Sequence, residues 1–164
     1  MATITSLANP LGAGTTLSQS ANVKLPYTIW KEIDFAAAAT AKGSALAAAD
    51  VIEAVRVPAN HVILGGWMKK TAAMTGTSTD LTLSVGVTGG VTNNIINAWD
   101  FDAATVGSFG TLGTQVPVQI TASDTVDILI ATQTGTFLTG KAVVGILVLD
   151  VDVETRGVIA QPKS

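Results

Sequence analysis

The chain contains no cysteine and a single histidine, His61, and charged residues occupy only 13% of its 164 positions. Without cysteine it can form no disulfide, no thiolate metal site and no Cys-His nucleophilic pair. Catalysis usually requires titratable groups gathered in a pocket, and this sequence has few to gather. Hydrophobic residues make up 48% of the chain, in short Val, Ile and Leu runs separated by Thr, Ser, Gly and Ala. This composition indicates a β-rich structural protein, and we expect no enzymatic activity.

Charge and hydropathy exclude two further classes of partner. The net charge is −3, and nine Lys and Arg residues are scattered from Lys24 to Lys163. No basic cluster is arranged for a phosphate backbone, so we expect no nucleic-acid binding. The sequence has no basic, apolar leader at its start and no apolar run of about 18 residues, so we expect neither a signal peptide nor a membrane span.

The first 25 residues differ from the rest of the chain. They contain Gly, Ser and Thr with scattered Leu7, Leu11 and Leu17, and they show no sustained period of 2 or 3.6. Two interpretations remain open: a flexible terminus, or an extended segment that orders against a neighbouring subunit. The length suits one domain. The predicted division is an N-terminal arm at 1–25, a β-sandwich domain at 26–152 and a C-terminal tail at 153–164.

The first half of the domain shows strand patterns. Residues Tyr27 to Phe35 alternate between apolar and polar, as an edge strand does. The Ala-rich run 36–49 is ambiguous. Residues 51–57 fit either a helix with one polar face or a strand, and their β-branched content favours the strand. Pro58–Asn60 predicts a tight turn, and 61–70 a returning strand, so the sequence predicts a hairpin.

The second half predicts further strands. A Thr, Ser and Gly loop at 71–79 precedes the clearest alternation in the chain, at 81–87, which indicates a half-buried strand. We expect a long connection between sheets from Val91 to Gly113, with one or two short elements. Three more strands are predicted: an edge strand at 115–120 that contains Pro117, a strand at 125–131, and a central strand at 141–151. The central strand is expected to be buried on both faces, or to have one face buried by another subunit. Seven to eight strands without well-capped helices predict an all-β fold, an antiparallel sandwich of jelly-roll type.

The residues with chemical potential form no catalytic motif. His61 lies beside the predicted turn and no Gly-x-Ser-x-Gly sequence occurs, so a structural role is favoured. Asp100 with Asp102, and the three acids between Asp150 and Glu154, lack the spaced Asp and Gly residues of a calcium loop. We therefore expect no catalytic residue, no cofactor and no metal.

Large apolar residues outside regular alternation are candidate interface anchors. Core packing is the common role of tryptophan, but Trp99 lies in the irregular segment with Ile95, Ile96 and Phe101, where an exposed patch would otherwise result. The predicted interface residues are Trp99, Phe101, Ile95 and Ile96, with Leu7, Leu11 and Leu17 on the arm.

Three segments carry a resemblance to a known class. They are Asp50 to Asn60, which ends in Val-Pro-Ala-Asn, the strand Thr79-Asp80-Leu81-Thr82-Leu83-Ser84-Val85-Gly86-Val87, and Thr139-Gly140-Lys141. Through them, residues 50 to 150 resemble the small proteins that decorate or cement the capsid of tailed bacteriophages. The resemblance implies a homotrimeric jelly roll on the outer surface of the virion, which binds the major capsid protein and bridges its subunits, often with a terminal arm.

Two alternatives remain open. A neck, tail or fibre module of the virion with a carbohydrate site would share the fold, and exposed aromatic side chains clustered in a groove would distinguish it. A non-viral enzyme or ligand-binding sandwich is the weaker alternative, and a deep pocket that holds His61 with a carboxylate would support it.

Overall fold

The structure is a computed structural model that describes the backbone of residues 3–5 and, with side chains, residues 25–87, 93–110, 112–113 and 117–151. The elements in chain order are β1 (Thr3–Thr5), β2 (Tyr27–Asp34), α1 (Phe35–Lys42), β3 (Val51–Val57), β4 (His61–Gly76), β5 (Asp80–Val87), β6 (Ile96–Asp100), β7 (Val118–Ile120), β8 (Asp124–Thr134) and β9 (Phe137–Asp150).

Two sheets pack face to face. One has the strand order β1-β3-β8-β5-β6, and the other has the order β2-β9-β4-β7. All pairs are antiparallel except β1 with β3, which is parallel. From β2 to β9 the chain crosses to the other sheet at each connection except β5 to β6. This arrangement is a jelly roll, which confirms the predicted fold class.

The core lies between the inner faces of the two sheets. On β5 and β8, alternate residues point inward with exposed fractions of 6% or less, and the registered pairs Leu83 with Ile130 and Val85 with Ile128 show that both strands turn the same face to the core. Residues two apart share one face of a strand, so alternation in the sequence becomes one apolar layer. The opposing layer comes from β9 and β2: Ala142, Val144, Ile146, Val148, Ile29 and Ile33.

The first half of the ambiguous Ala-rich run forms the helix α1, which ends at Lys42. Asp34 caps its start, because the Oδ1 atom accepts hydrogen bonds from the N–H groups of Ala36 and Ala37 at 3.0 and 3.3 Å. Gly43 ends the helix at φ +79°, a conformation that glycine adopts without steric cost. Among the described residues, no helix is long and apolar enough to cross a membrane.

The predicted hairpin of 51–57 with 61–70 is wrong. Both segments are strands and a turn joins them, but β3 pairs with β1 and β8 whereas β4 pairs with β9 and β7. Pro58–Asn60 is therefore a corner between the sheets, with Asn60 at φ +59°. Turn chemistry predicts a reversal of the chain but not whether the second strand stays in the same sheet.

The predicted loop at 71–79 is also wrong over most of its length. Strand β4 continues to Gly76, because its polar end pairs with β9 as far as Thr75 with Thr139 and Gly76 with Phe137. Main-chain hydrogen bonds to a long neighbour therefore extend a strand that lacks apolar alternation.

The remaining strand predictions give the correct positions in the sheets, but the predicted burial differs from the structure at two strands. Strands β2 and β7 lie at the two edges of the four-stranded sheet, and β9 lies inside it. However, β9 is buried on one face only, because Leu147 on the other face is 39% exposed. Strand β5 shows the reverse, since the outward Ser84 is buried and accepts a hydrogen bond from the Ala98 N–H at 3.1 Å.

Candidate interaction surface

The predicted interface residues between Ile95 and Phe101 lie in the core instead of on the surface. Ile95, Ile96 and Phe101 are at most 1% exposed, and Trp99 is 6% exposed. The exposed patch on which that prediction depended is absent, because the segment forms β6 and pairs with β5. These four residues therefore have almost no accessible surface in the monomer with which to contact a partner.

Aromatic packing explains this burial. The Phe101 ring lies 5.4 Å from the Phe35 ring and 6.2 Å from the Phe137 ring, centroid to centroid. Trp99 packs edge-on against Phe101 at 5.3 Å. Edge-to-face contacts of this kind stabilise a core beyond the apolar area they bury. The spacing of these residues in the sequence does not reveal the cluster, because its members come from α1, the end of β6 and the start of β9.

A buried lysine fixes the segment after β6. The Lys70 Nζ atom donates hydrogen bonds to the carbonyl oxygens of Phe101 and Ala104 at 2.6 and 2.8 Å, and it lies 4.5 Å from the Phe101 ring centroid. Burial lowers the pKa of Lys70, while Asp102 and Asp100 raise it by less. Lys70 thus has a structural role in joining β4 to this segment.

The single histidine is also bound to its neighbours. His61 Nδ1 lies 2.9 Å from the Ala59 carbonyl oxygen, and Nε2 lies 2.8 Å from the Tyr27 hydroxyl. A carbonyl oxygen can only accept, so Nδ1 donates to it, and in the tautomer protonated at Nδ1 alone the Nε2 atom accepts from the Tyr27 hydroxyl. Both ring nitrogens of His61 are therefore bound to groups of the fold.

Two of the acidic residues considered as metal ligands, Asp100 and Asp102, accept main-chain hydrogen bonds. Asp102 accepts from the Leu81 N–H at 2.5 Å, and Asp100 accepts from the Ala103 N–H at 3.0 Å. Across the described ranges, no group of three or more His, Cys, Asp or Glu side chains could hold a metal ion. Of the other candidate acids, residues 152 and 154 lie outside the described part of the chain, as do the arm residues Leu7, Leu11 and Leu17.

The outer side of the four-stranded sheet carries exposed apolar side chains. Trp30 on β2 is 61% exposed, and Phe109, which pairs with Lys69 at the other side of the sheet, is 59% exposed. Exposed apolar side chains that lie together on one surface often mark a contact site. We call this surface the aromatic face, and it comprises Trp30, Leu64, Trp67, Phe109 and Leu147.

The centre of the aromatic face depends on a glycine. Gly145 on β9 lies between Trp30 and Trp67 in the register of the sheet, and a Cβ atom at 145 would collide with the Trp67 indole. Trp67 therefore lies across the main chain of β9. Its ring contacts Phe109 edge-on at 6.0 Å, and the Lys69 Nζ atom lies 5.5 Å from the Phe109 centroid.

One end of the face is charged. Lys141 Nζ lies 3.2 Å from Asp34 Oδ2 and 3.5 Å from Glu32 Oε1. Hydrogen bonds from the Ala37 N–H and from Lys141 lower the pKa of Asp34, and Asp34 raises the pKa of Lys141. All three side chains are more than a third exposed, so solvent weakens these ion pairs.

The sequence reasoning missed the aromatic face, although it contained one signal for it. The alternation in β2 places Trp30 on the same side as Glu32 and Asp34, which is the solvent side of an edge strand. A tryptophan among outward acids is a candidate contact residue. Trp67 and Phe109 had no such signal, because their shared face depends on the pairing of Lys69 with Phe109.

Comparison with protein-family models finds no match, and comparison with curated proteins finds no match either. Solved structures do match. A chain from the cyanophage Pam1 capsid asymmetric unit is similar with a TM-score of 0.57 and 19% identity, over 87% of this chain and 93% of that chain.

Two further structures share the fold. A chain from the capsid of Ralstonia phage GP4 matches with a TM-score of 0.57 and 17% identity, over 76% of this chain and 84% of that one. A chain from the acid-stable capsid of Helicobacter pylori bacteriophage KHP30 matches with a TM-score of 0.51 and 17% identity, over 77% and 90%. At these identities the likeness shows a common fold, the jelly-roll sandwich found in phage capsid assemblies. This agrees with the resemblance to capsid-associated phage proteins that the sequence carries.

Proposed function

We propose that this chain is a non-enzymatic structural protein of a phage virion, which binds the outer capsid surface and cements the joints between major capsid subunits. The observation that carries the proposal is the match to a chain of the Pam1 capsid over nearly the whole of both chains. The buried polar residues are consistent with it, since Lys70 and His61 bind neighbouring groups of the fold.

A cement protein must add contact area across subunit joints without performing chemistry. Specific interfaces combine apolar anchors with a polar rim, and extended segments can add main-chain hydrogen bonds. Exposed apolar side chains outside the aromatic face, such as Leu25 and Leu112, can supply apolar anchors. In this proposal, the arm at 1–25, with Leu7, Leu11 and Leu17, supplies the extended segment, and the mature unit on the capsid is the homotrimer implied by the sequence resemblance.

The arm can be tested by adding the protein back to particles that lack it. We expect the full chain to bind these particles and to raise their melting temperature. A chain without residues 2–25 should bind more weakly, because it loses the extended contacts, yet should keep a cooperative thermal transition of its own. If the shortened chain does not fold, the arm is part of the core and this proposal for it is wrong. If the full chain does not bind the particles, the cement function is wrong.

A second candidate is a neck, tail or fibre module that binds carbohydrate. The clustered aromatic side chains of Trp30, Trp67 and Phe109 favour it, since such rings can pack on sugars. Against it, the planes of Trp67 and Phe109 meet at 70° and do not form a flat platform. Binding of the isolated protein to a glycan array that is lost in Trp30→Ala would support this candidate over the first.

A further inference from the structure

The aromatic face is organised in rows that cross three strands. In one row, Glu32 on β2 and Lys69 on β4 both pair with Val143 on the central strand β9. In the next row, Trp30 and Trp67 both pair with Gly145. Neighbouring strands lie about 4.8 Å apart. The β2 residue and the β4 residue of each row therefore lie at equal distances from β9, on opposite sides of it.

The two sides of the face have opposite charge. The β2 side carries Glu32 and Asp34, and the β4 side carries Lys69. Among the described residues no carboxylate lies within ion-pair distance of Lys69, whose Nζ atom lies 5.5 Å from the Phe109 ring centroid. Glu32 keeps a 3.5 Å contact with Lys141 and is about half exposed, so it can accept a second cation.

We propose that the aromatic face packs against the same face of a second copy of this chain, about a two-fold axis parallel to β9. Rotation about this axis places β2 of one copy over β4 of the other. Glu32 then faces Lys69, and Trp30 faces Trp67, and each contact occurs twice, as in any isologous interface. The apolar rows fill the space of about 10 Å that separates packed sheets.

Charge complementarity selects a second copy as the occupant. The complement of each feature lies in the same row of the same face: the acid opposite the base, and one indole opposite the other. A two-fold axis perpendicular to the strands would instead leave β2 over β2 and bring the acids of both copies to the same side. The contact is separate from the homotrimer proposed above, which would need a different surface, and it does not depend on a virion function.

Charge exchange gives a test that distinguishes this geometry. Glu32→Lys alone sets two lysine side chains against each other in both contacts of a dimer, and Lys69→Glu alone sets two acids together. We expect each variant to sediment as a monomer at concentrations where the wild type is dimeric. An equimolar mixture of the two variants should form a heterodimer, because each of its two contacts then pairs a lysine with a glutamate.

In the mixed dimer, the two contacts differ. One contact pairs the lysine introduced by Glu32→Lys with the glutamate introduced by Lys69→Glu, and the other pairs the native Lys69 of the first copy with the native Glu32 of the second. Both contacts are therefore attractive, whereas both are repulsive in either homodimer. The double variant Glu32→Lys/Lys69→Glu should dimerise by itself, because each of its contacts is an exchanged ion pair.

The apolar contact has its own test. Trp30→Ser should weaken the dimer by about tenfold or more, since Trp at the centre of an interface is often a dominant anchor. Leu138→Ser is the matched control, because Leu138 is 52% exposed but lies beyond Lys141 on β9, outside the face. This control should leave the dissociation constant unchanged, and both variants should melt at the temperature of the wild-type monomer.

Three results would overturn the proposal. The first is a wild-type chain that stays monomeric at all concentrations in sedimentation velocity. If that chain binds capsids and Trp30→Ser does not, the aromatic face binds another protein instead of a second copy. The second is a trimer that requires Trp30, since a three-fold contact is not isologous. The third is a dimer that Glu32→Lys and Lys69→Glu each leave intact. Failure of capsid binding with the dimer intact would contradict the cement function alone.

Discussion

Three buried polar side chains of this sandwich, Lys70, His61 and Asp50, bind the main chain. Lys70 binds two carbonyl oxygens after β6, and His61 binds the carbonyl of Ala59 at the corner between the sheets. Asp50 accepts from the Ala47 N–H at 2.8 Å and from Lys42. A buried polar group without a partner destabilises a fold, so these bonds allow irregular segments to lie against an apolar core.

Trp99 lies in the core and Trp30 lies on the surface, so substitutions at the two residues should have different effects on stability. Trp99→Ala should lower the free energy of unfolding by about 3–5 kcal/mol, because it leaves a cavity beside Phe101 and Gly110. Trp30→Ala should change it by less than about 0.5 kcal/mol, because that side chain is 61% exposed. Urea unfolding at concentrations where all forms are monomeric measures both. Equal losses would mean that Trp30 is buried or that Trp99 is not.

Asp50 should make stability depend on pH. Burial raises the pKa of Asp50, but the contacts with Lys42 and the Ala47 N–H together lower it by more. The pKa of Asp50 in the folded chain therefore lies below 3.8. A carboxyl group with a depressed pKa stabilises the fold at pH values above the pKa that it has in the unfolded chain. This contribution is lost as the pH falls through the pKa of the folded state.

We therefore expect Asp50→Asn to cost about 1–3 kcal/mol at pH 7, and this deficit to shrink below pH 3.8. Urea unfolding of both proteins from neutral pH down to strongly acidic pH measures the difference. Asp80→Asn, at an exposed position, is the control and should change little. A deficit that stays constant across the whole acidic range would show that the charge of Asp50 does not stabilise the fold.

At the scale of elements, the end of α1 is set by backbone conformation. Gly43 and Gly65 both have open space where a Cβ atom would lie, but only Gly43 has a positive φ, of +79°. Gly43→Ala should therefore destabilise the fold by about 1 kcal/mol, and Gly65→Ala should be neutral or slightly stabilising. Thermal melting of the two variants measures the contrast. If both alanines cost the same, the left-handed conformation at 43 is not the cause.

The elements also show how far a sequence pattern reaches. The alternation in β5 and β8 located both strands, because each turns one face to the core. The partner of β3 and the end of β4 were missed for one reason, which is that both depend on hydrogen bonds to strands distant in sequence, β8 and β9. Residue order predicts what a strand buries more directly than which strand it joins.

At the scale of the whole molecule, the count of strands and turns was sufficient to predict a jelly roll, but not its contact surface. The predicted interface depended on Trp99 in an irregular segment, and the fold buries that segment on β5 while it leaves Trp30, Trp67 and Phe109 outside. Which side of an inner strand such as β9 meets solvent depends on what covers the sheet, and a single sequence does not contain that information.

The central claim is that this protein covers a capsid as a cement, and the most direct test is its copy number per particle. Quantitative mass spectrometry of purified virions, relative to the major shell protein, measures it. We predict a number comparable with that of the shell subunit, because a cement occupies every equivalent joint. A few copies per particle would contradict the cement function and indicate a neck, tail or fibre part, and complete absence would contradict any role in the virion.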